Sequence, residues 1–191
     1  MKRKLFGITM IFLFSACQKD PLNTTTALAS GTPPTGSALV IKTDTLPDLA
    51  FFKLRMVKDS SNYDETVIVF NHLATANYDP QIDAEYFSGF GAESFFSISG
   101  DGVALAINRL PYKNGLTIRL GAESKKDGLY QLKVSDQKAL PQDLQIWLKD
   151  ARMKDSINLC SAPYSFQVNK IDTTSYGKNR FTLCLRCVNR Q

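Results

Sequence analysis

LTIRLGAESKKDGLYQLKV (residues 116–134) places an apolar side chain at every second position on both sides of a Lys-Asp-Gly turn signal. Leu116, Ile118 and Leu120 alternate with Thr117 and Arg119, and Tyr130, Leu132 and Val134 alternate with Gln131 and Lys133. A period of two is the signature of a strand with one dry face and one wet face, because successive side chains leave a strand on opposite sides. The same pattern recurs outward in both directions. It holds for Phe52, Leu54 and Met56, for Leu144, Ile146 and Leu148, for Tyr164, Phe166 and Val168, and for Phe181, Leu183 and Leu185. Between these runs lie Asp101-Gly102, Lys113-Asn114-Gly115, Ala162-Pro163 and Tyr176-Gly177-Lys178-Asn179, at the spacing expected of antiparallel strands. Many half-buried strands with short turns predict an all-β fold, an antiparallel β-sandwich of Ig-like or jelly-roll type, forming one domain over residues 38–191.

The front of the chain reads differently. Lys2, Arg3 and Lys4 precede an apolar run from Leu5 to Phe14, the charged start and short greasy core of an export signal. Ten to twelve residues of helix span about 18 Å, short of the ~30 Å hydrocarbon core that a permanent membrane helix must cross. Phe14-Ser15-Ala16-Cys17 resembles the lipobox of bacterial lipoproteins, with Phe14 where that family usually has Leu. The resemblance implies cleavage after residue 16, acylation of Cys17 and a membrane partner reached through the lipid. Several acyl chains at about 0.8 kcal/mol per buried methylene make such an anchor effectively permanent. Gln18-Lys19-Asp20 is similar to the tag that follows the lipidated cysteine in surface lipoproteins of Bacteroidota, which implies an outer-membrane protein facing the medium.

Removing residues 1–16 takes away three basic residues and no acidic one, so a formal charge of +5 falls to +2. A charge this small, carried on scattered Lys and Arg, gives no argument for nucleic acid as a partner. Pro21 to Gly36 (PLNTTTALASGTPPTG) is rich in Thr, Pro, Ala and Gly and lacks an apolar period. Residues 17–37 are therefore expected to be a lipidated tether, with a reach of about 25 Å.

The residues able to do chemistry are few. His72 is the single histidine, it follows a strand, and no Gly-x-Ser-x-Gly elbow exists for it to serve. Asp64, Glu65, Asp83, Glu85 and Glu93 fall in one third of the chain, and a carbohydrate-active hydrolase would need two such carboxylates about 5 to 10 Å apart. Cys184-Leu-Arg-Cys187 has the spacing of a zinc knuckle but lacks a second ligand pair, and a redox centre would open a helix where alternation puts a strand. In an exported protein the expectation is a disulfide from Cys160 to Cys184 or Cys187, with Cys184 preferred because it shares the outward register of Thr182 and Arg186. No metal and no cofactor are expected.

Aromatic residues supply the other candidates. Trp147 shares a face with Gln145 and Lys149 and should point away from the core. YFSGFGAESFF (residues 86–96) adds Tyr86 and Phe90 among glycines. Exposed rings of this kind stack on sugars or seat a protein partner, although rings in such a run also fill cores.

Residues 64–185 also resemble a known module. DETVIVFNHLATANYDPQIDAEYF, FSISGDGVALAINRLP, DGLYQLKV, LQIWLKD, and PYSFQV followed by RFTL are similar, in this order, to a β-sandwich module of Bacteroidota surface proteins that stands ahead of the C-terminal sorting domain of type IX secretion cargo. That sorting domain is absent here and the lipid signal stands at the other end. The resemblance implies no catalytic residues. Taken together, a non-catalytic, lipid-anchored surface module that binds a glycan or a protein is expected, with a structural accessory subunit of an envelope or appendage complex as the alternative and a hydrolase as the second.

Overall fold

The computed structural model describes residues 49–187. Cys17 and the boundaries drawn at residues 16, 37 and 38 lie outside the described residues. Within them the chain is all-β, with eleven strands and one 3-10 turn at Thr173–Ser175. The strands are β1 Phe51–Val57, β2 Tyr63–Phe70, β3 Ala84–Glu85, β4 Glu93–Ile98, β5 Ala104–Leu110, β6 Thr117–Ser124, β7 Gly128–Lys138, β8 Leu144–Asp150, β9 Asp155–Asn158, β10 Tyr164–Val168 and β11 Gly177–Cys187.

All eleven belong to one hydrogen-bonded sheet in the order β10-β7-β1-β2-β5-β4-β6-β11-β8-β9, with β3 added to β5. Every pairing is antiparallel except β2 with β5. Each alternating run puts its apolar set inward: Phe52, Leu54 and Met56, then Leu116, Ile118 and Leu120, then Leu144, Ile146 and Leu148 are all buried. These side chains join one core, so the long sheet curls until its two ends face each other. Phe166 of β10 meets Phe181 of β11 edge to face at 4.9 Å, although the two strands lie seven places apart in the sheet order.

The corner that allows this curl is built by β5. Its residue 105 pairs with both β3 and β4, and its residue 107 with both β3 and β2, so β3 takes one edge while β4 and then β2 share the other. Where β2 and β4 part, side chains replace the missing ladder. Asp64 Oδ2 accepts the Phe95 amide at 2.8 Å and Thr66 Oγ1 accepts the Ser97 amide at 3.2 Å, while Thr66 donates to the Leu105 carbonyl. A buried backbone amide without a partner would cost a large part of a hydrogen bond's desolvation, which explains two polar residues at inward positions of β2.

The Lys-Asp-Gly turn of residues 126–128 does not close a hairpin. β6 pairs with β4 and β11, whereas β7 pairs with β1 and β10, so this three-residue connection crosses from one half of the curled sheet to the other. The registers also define two poles. The β1–β2, β6–β7, β8–β9 and β10–β11 connections, with the segment before β4, gather at one pole. The described chain begins at the other, where the Leu49 amide donates to the Phe70 carbonyl.

Candidate functional site

Trp147 lies in the middle of β8, directly across from Cys184 of β11 and Asn158 of β9. It is on the outer face, as alternation requires, and is half-buried. Its indole Nε1 donates to Gln145 Oε1 at 2.8 Å, so the ring is held in one orientation from within its own strand. Around it the same outer face presents Lys149, Thr182, Asn158 and Ser156, and one strand further Thr117 and Arg119. The result is an aromatic ring set among hydroxyl, amide and cationic groups.

The loop aromatics divide into two sets. Phe95 is part of the core. Phe96 is buried on the outer side of β4, above Gly121 of β6 and 4.8 Å from the Tyr86 ring. The Tyr86 hydroxyl donates to Asp64 Oδ2 at 2.6 Å, and burial together with that carboxylate pushes its pKa up to about 12. Tyr86 is thus pinned to the frame, whereas Phe90 is fully exposed and Phe87 is 81 % exposed. The structure does not bring Phe90 to Trp147. Trp147 lies level with Thr117 at the start of β6, and the loop of Phe90 meets the other end of β6, where the Lys125 amide donates to the Ala92 carbonyl. Eight residues of strand between those levels amount to about 26 Å.

The acidic residues of the same third of the chain serve the fold. Asp83 Oδ1 accepts the Arg109 amide at 2.7 Å and its Oδ2 the Asp79 amide at 2.9 Å. Glu65 pairs with Arg55 at 2.6 Å, and buried Glu93 faces the Tyr130 hydroxyl at 3.5 Å. Among the described residues no three metal-ligating side chains come together.

The expected Cys160–Cys184 bridge is not made: Cys160, Cys184 and Cys187 are free thiols. Strand β8 separates the two partners, since Cys184 of β11 faces Trp147 and Trp147 faces Asn158 of β9, just before Cys160. Two strand spacings are about 9.6 Å, beyond the ~7 Å that a disulfide tolerates between Cα atoms. Cys184 does share the outer register with Thr182 and Arg186, but it is fully buried. Cys187 Sγ sits 2.9 Å from the Tyr112 hydroxyl.

One arrangement has no counterpart among the sequence expectations. Asp150, at the end of β8, is buried against Arg180, with Nη2 to Oδ2 at 2.8 Å. The Tyr164 hydroxyl and the amides of Arg152 and Met153 also donate to that carboxylate. Arg180 donates besides to the Gln167 and Ser175 carbonyls and lies against the rings of Phe166 and Phe181. Burial alone would push Asp150 up, but the hydrogen bonds from Arg180 and Tyr164 outweigh it and hold the carboxyl below its ordinary range. Arg180 also lines a cleft of about 630 Å³ between the β8–β9 turn, Thr173–Thr174 and the first residues of β11. A bulge opens it, because β11 runs from Gly177 to Phe181 while β6 runs only from Ala122 to Leu120. Asp150 was visible in the sequence as the fourth inward position after Leu144, Ile146 and Leu148; Arg180 was not, because the bulge breaks the alternation that would have placed it.

The model of a family described as a domain of unknown function (DUF8693) matches residues 51–184, from the first residue of β1 into β11. No curated protein and no solved structure matches the chain.

Proposed function

The chain belongs to this family of unknown function, and we propose from its own residues that it is a non-catalytic surface lipoprotein whose folded domain is a binding or assembly module. Acylated Cys17 holds it to the outer membrane, and Gln18-Lys19-Asp20 directs it to the side facing the medium. The domain is a β-sandwich of Ig-like or jelly-roll type: β10-β7-β1-β2 form one layer, β4-β6-β11-β8-β9 the other, and β5 turns between them. The common core of the two strand sets supports that description.

The observation that carries the binding reading is Trp147. A large ring on the outward side of a strand paired on both edges contributes little to the core, and its fixed indole among Gln145, Lys149, Thr182 and Asn158 suits a sugar: an apolar face for C–H groups, with hydrogen-bonding partners beside it. The test is a glycan array and an affinity pull-down with the parent chain and Trp147→Ala. Sugar binding that falls at least tenfold in the variant supports this reading. A co-purifying protein that ignores the substitution supports the second reading, an accessory subunit of an envelope or appendage complex. That alternative is favoured by β9 and β10, the terminal strands of the sheet order, whose outer edges offer backbone groups to a partner strand. Location is tested separately: Cys17→Ser should abolish the added acyl mass and the membrane fractionation that survives a high-salt wash, and unchanged values would overturn the anchor.

A further inference from the structure

Among the described residues, eight large apolar side chains are exposed, and six of them stand at one pole: Tyr63, Phe87, Phe90, Leu129, Met153 and Ile171. They belong to five separate connections or the strand ends beside them, yet the fold gathers those connections. Lys58 Nζ donates to the Asp127 carbonyl, the Lys170 amide donates to Asp127 Oδ1, Arg152 pairs with Asp172, and Lys125 Nζ reaches the Gly91 carbonyl. The same connections carry six basic residues, Lys58, Lys125, Lys126, Arg152, Lys154 and Lys170, against three acidic ones, Asp59, Asp127 and Asp172. At the opposite pole, the connections 71–83, 99–103, 111–116, 139–143 and 159–163 hold one lysine, Lys113, against Asp79, Asp83, Asp101 and Asp143. Basic charge and exposed apolar surface are therefore concentrated together, at the end away from the start of the described chain.

We propose that this pole docks on a bilayer whose headgroups are anionic, with the apolar tips entering the interface and the basic side chains meeting the phosphates. The distribution favours lipid over a protein partner. The centre of a protein interface is a contiguous packed patch from which lysine is depleted. Here the apolar side chains protrude singly, with glycine, serine and lysine between them, as on surfaces that combine interfacial aromatics with attraction to acidic lipid. The cleft between Arg152 and Lys178 opens at the same pole and offers a phosphate two cationic neighbours. This surface is separate from the Trp147 face and does not depend on it.

The test uses the mature chain, residues 17–191, carrying Cys17→Ser so that no acyl chain contributes. It is sedimented with vesicles of phosphatidylcholine alone and of phosphatidylcholine with phosphatidylglycerol. The expected result is at least tenfold tighter binding to the acidic vesicles, weakened by salt. It should fall at least tenfold in the Phe87→Ser, Phe90→Ser, Ile171→Ser triple variant and also in Lys126→Glu, Lys154→Glu. Phe90→Trp should add fluorescence that shifts to the blue on the same vesicles and is quenched by brominated lipid. All these positions are exposed, and unchanged melting curves confirm that the variants fold. Equal or absent binding to both vesicles would overturn the proposal. So would binding that needs the lysines but not the apolar tips, or a protein partner lost in the triple variant while vesicles remain unbound.

Discussion

Asp150 and Arg180 form a charge pair on which several strands converge. The carboxylate gathers β8, β10 through Tyr164, and the β8–β9 turn, while the guanidinium gathers β11 and the Gln167 and Ser175 carbonyls. Removing one partner leaves the other buried and uncompensated, which costs about 3–5 kcal/mol, whereas replacing both by apolar residues costs far less. Arg180→Ala should therefore destabilise more than the Asp150→Leu, Arg180→Met double variant, as measured by urea unfolding. The pH dependence follows from the two shifts. Asp150 is held below its ordinary pKa, so its contribution is present above the unfolded value near 3.9 and is lost as acid carries the pH down through the folded value. Tyr164 is pushed up to about 12 by burial and by Asp150, so its contribution is present below pH ~10 and is lost between there and 12. Tyr164→Phe should flatten that alkaline loss in part, and Tyr86, also held at about 12, accounts for a further share. A stability curve in Tyr164→Phe as steep as the parent's above pH 10 would contradict the assignment.

At the scale of the element, alternation identified which residues face inward but not which strands pair. Period two fixes the face of a strand and carries no information about its neighbours. The stretch 116–134 illustrates the gap: both strands were legible, yet their three-residue link joins opposite halves of the sheet. Part of the reason is that Tyr130, inward on β7, bonds through its hydroxyl to Ser124 Oγ at 2.7 Å and to the Lys126 carbonyl, fixing the crossing from inside. β4 was harder to read because both its faces are covered, Phe95 by the core and Phe96 by Tyr86. The Phe96 ring rests where a side chain on Gly121 would stand, since a Cβ there would come within 2.2 Å of it. Gly121→Ala should cost about 1–3 kcal/mol through forced displacement of the ring. Gly89→Ala meets nothing within 4 Å and should stay within about 0.5 kcal/mol of the parent. Equal midpoints in urea for these two variants would show that Phe96 has room to move and that the close pair does not hold β4 to β6.

For the whole molecule the question is what keeps the curled sheet closed without covalent help. Three cysteines in the last third of a chain expected to be exported suggest a staple, and that expectation failed because strand order, invisible in the sequence, inserts β8 between Cys160 and Cys184. A domain of this size does not need one: a chain of about 150 residues buries close to 70 % of the surface its unfolded form exposes, and here both halves of the sheet contribute to one core. Closure then rests on packing such as Phe166 against Phe181, and on polar links such as Tyr164 to Asp150. The unfolding midpoint of the Cys17→Ser chain should accordingly be the same with and without reductant. Alkylation adds a second readout, because Cys160 is exposed and should react in the native state, whereas buried Cys184 should react only on unfolding. A midpoint that drops when reductant is added, or a native Cys160 that resists alkylation, would mean that a disulfide rather than the shared core closes the sheet.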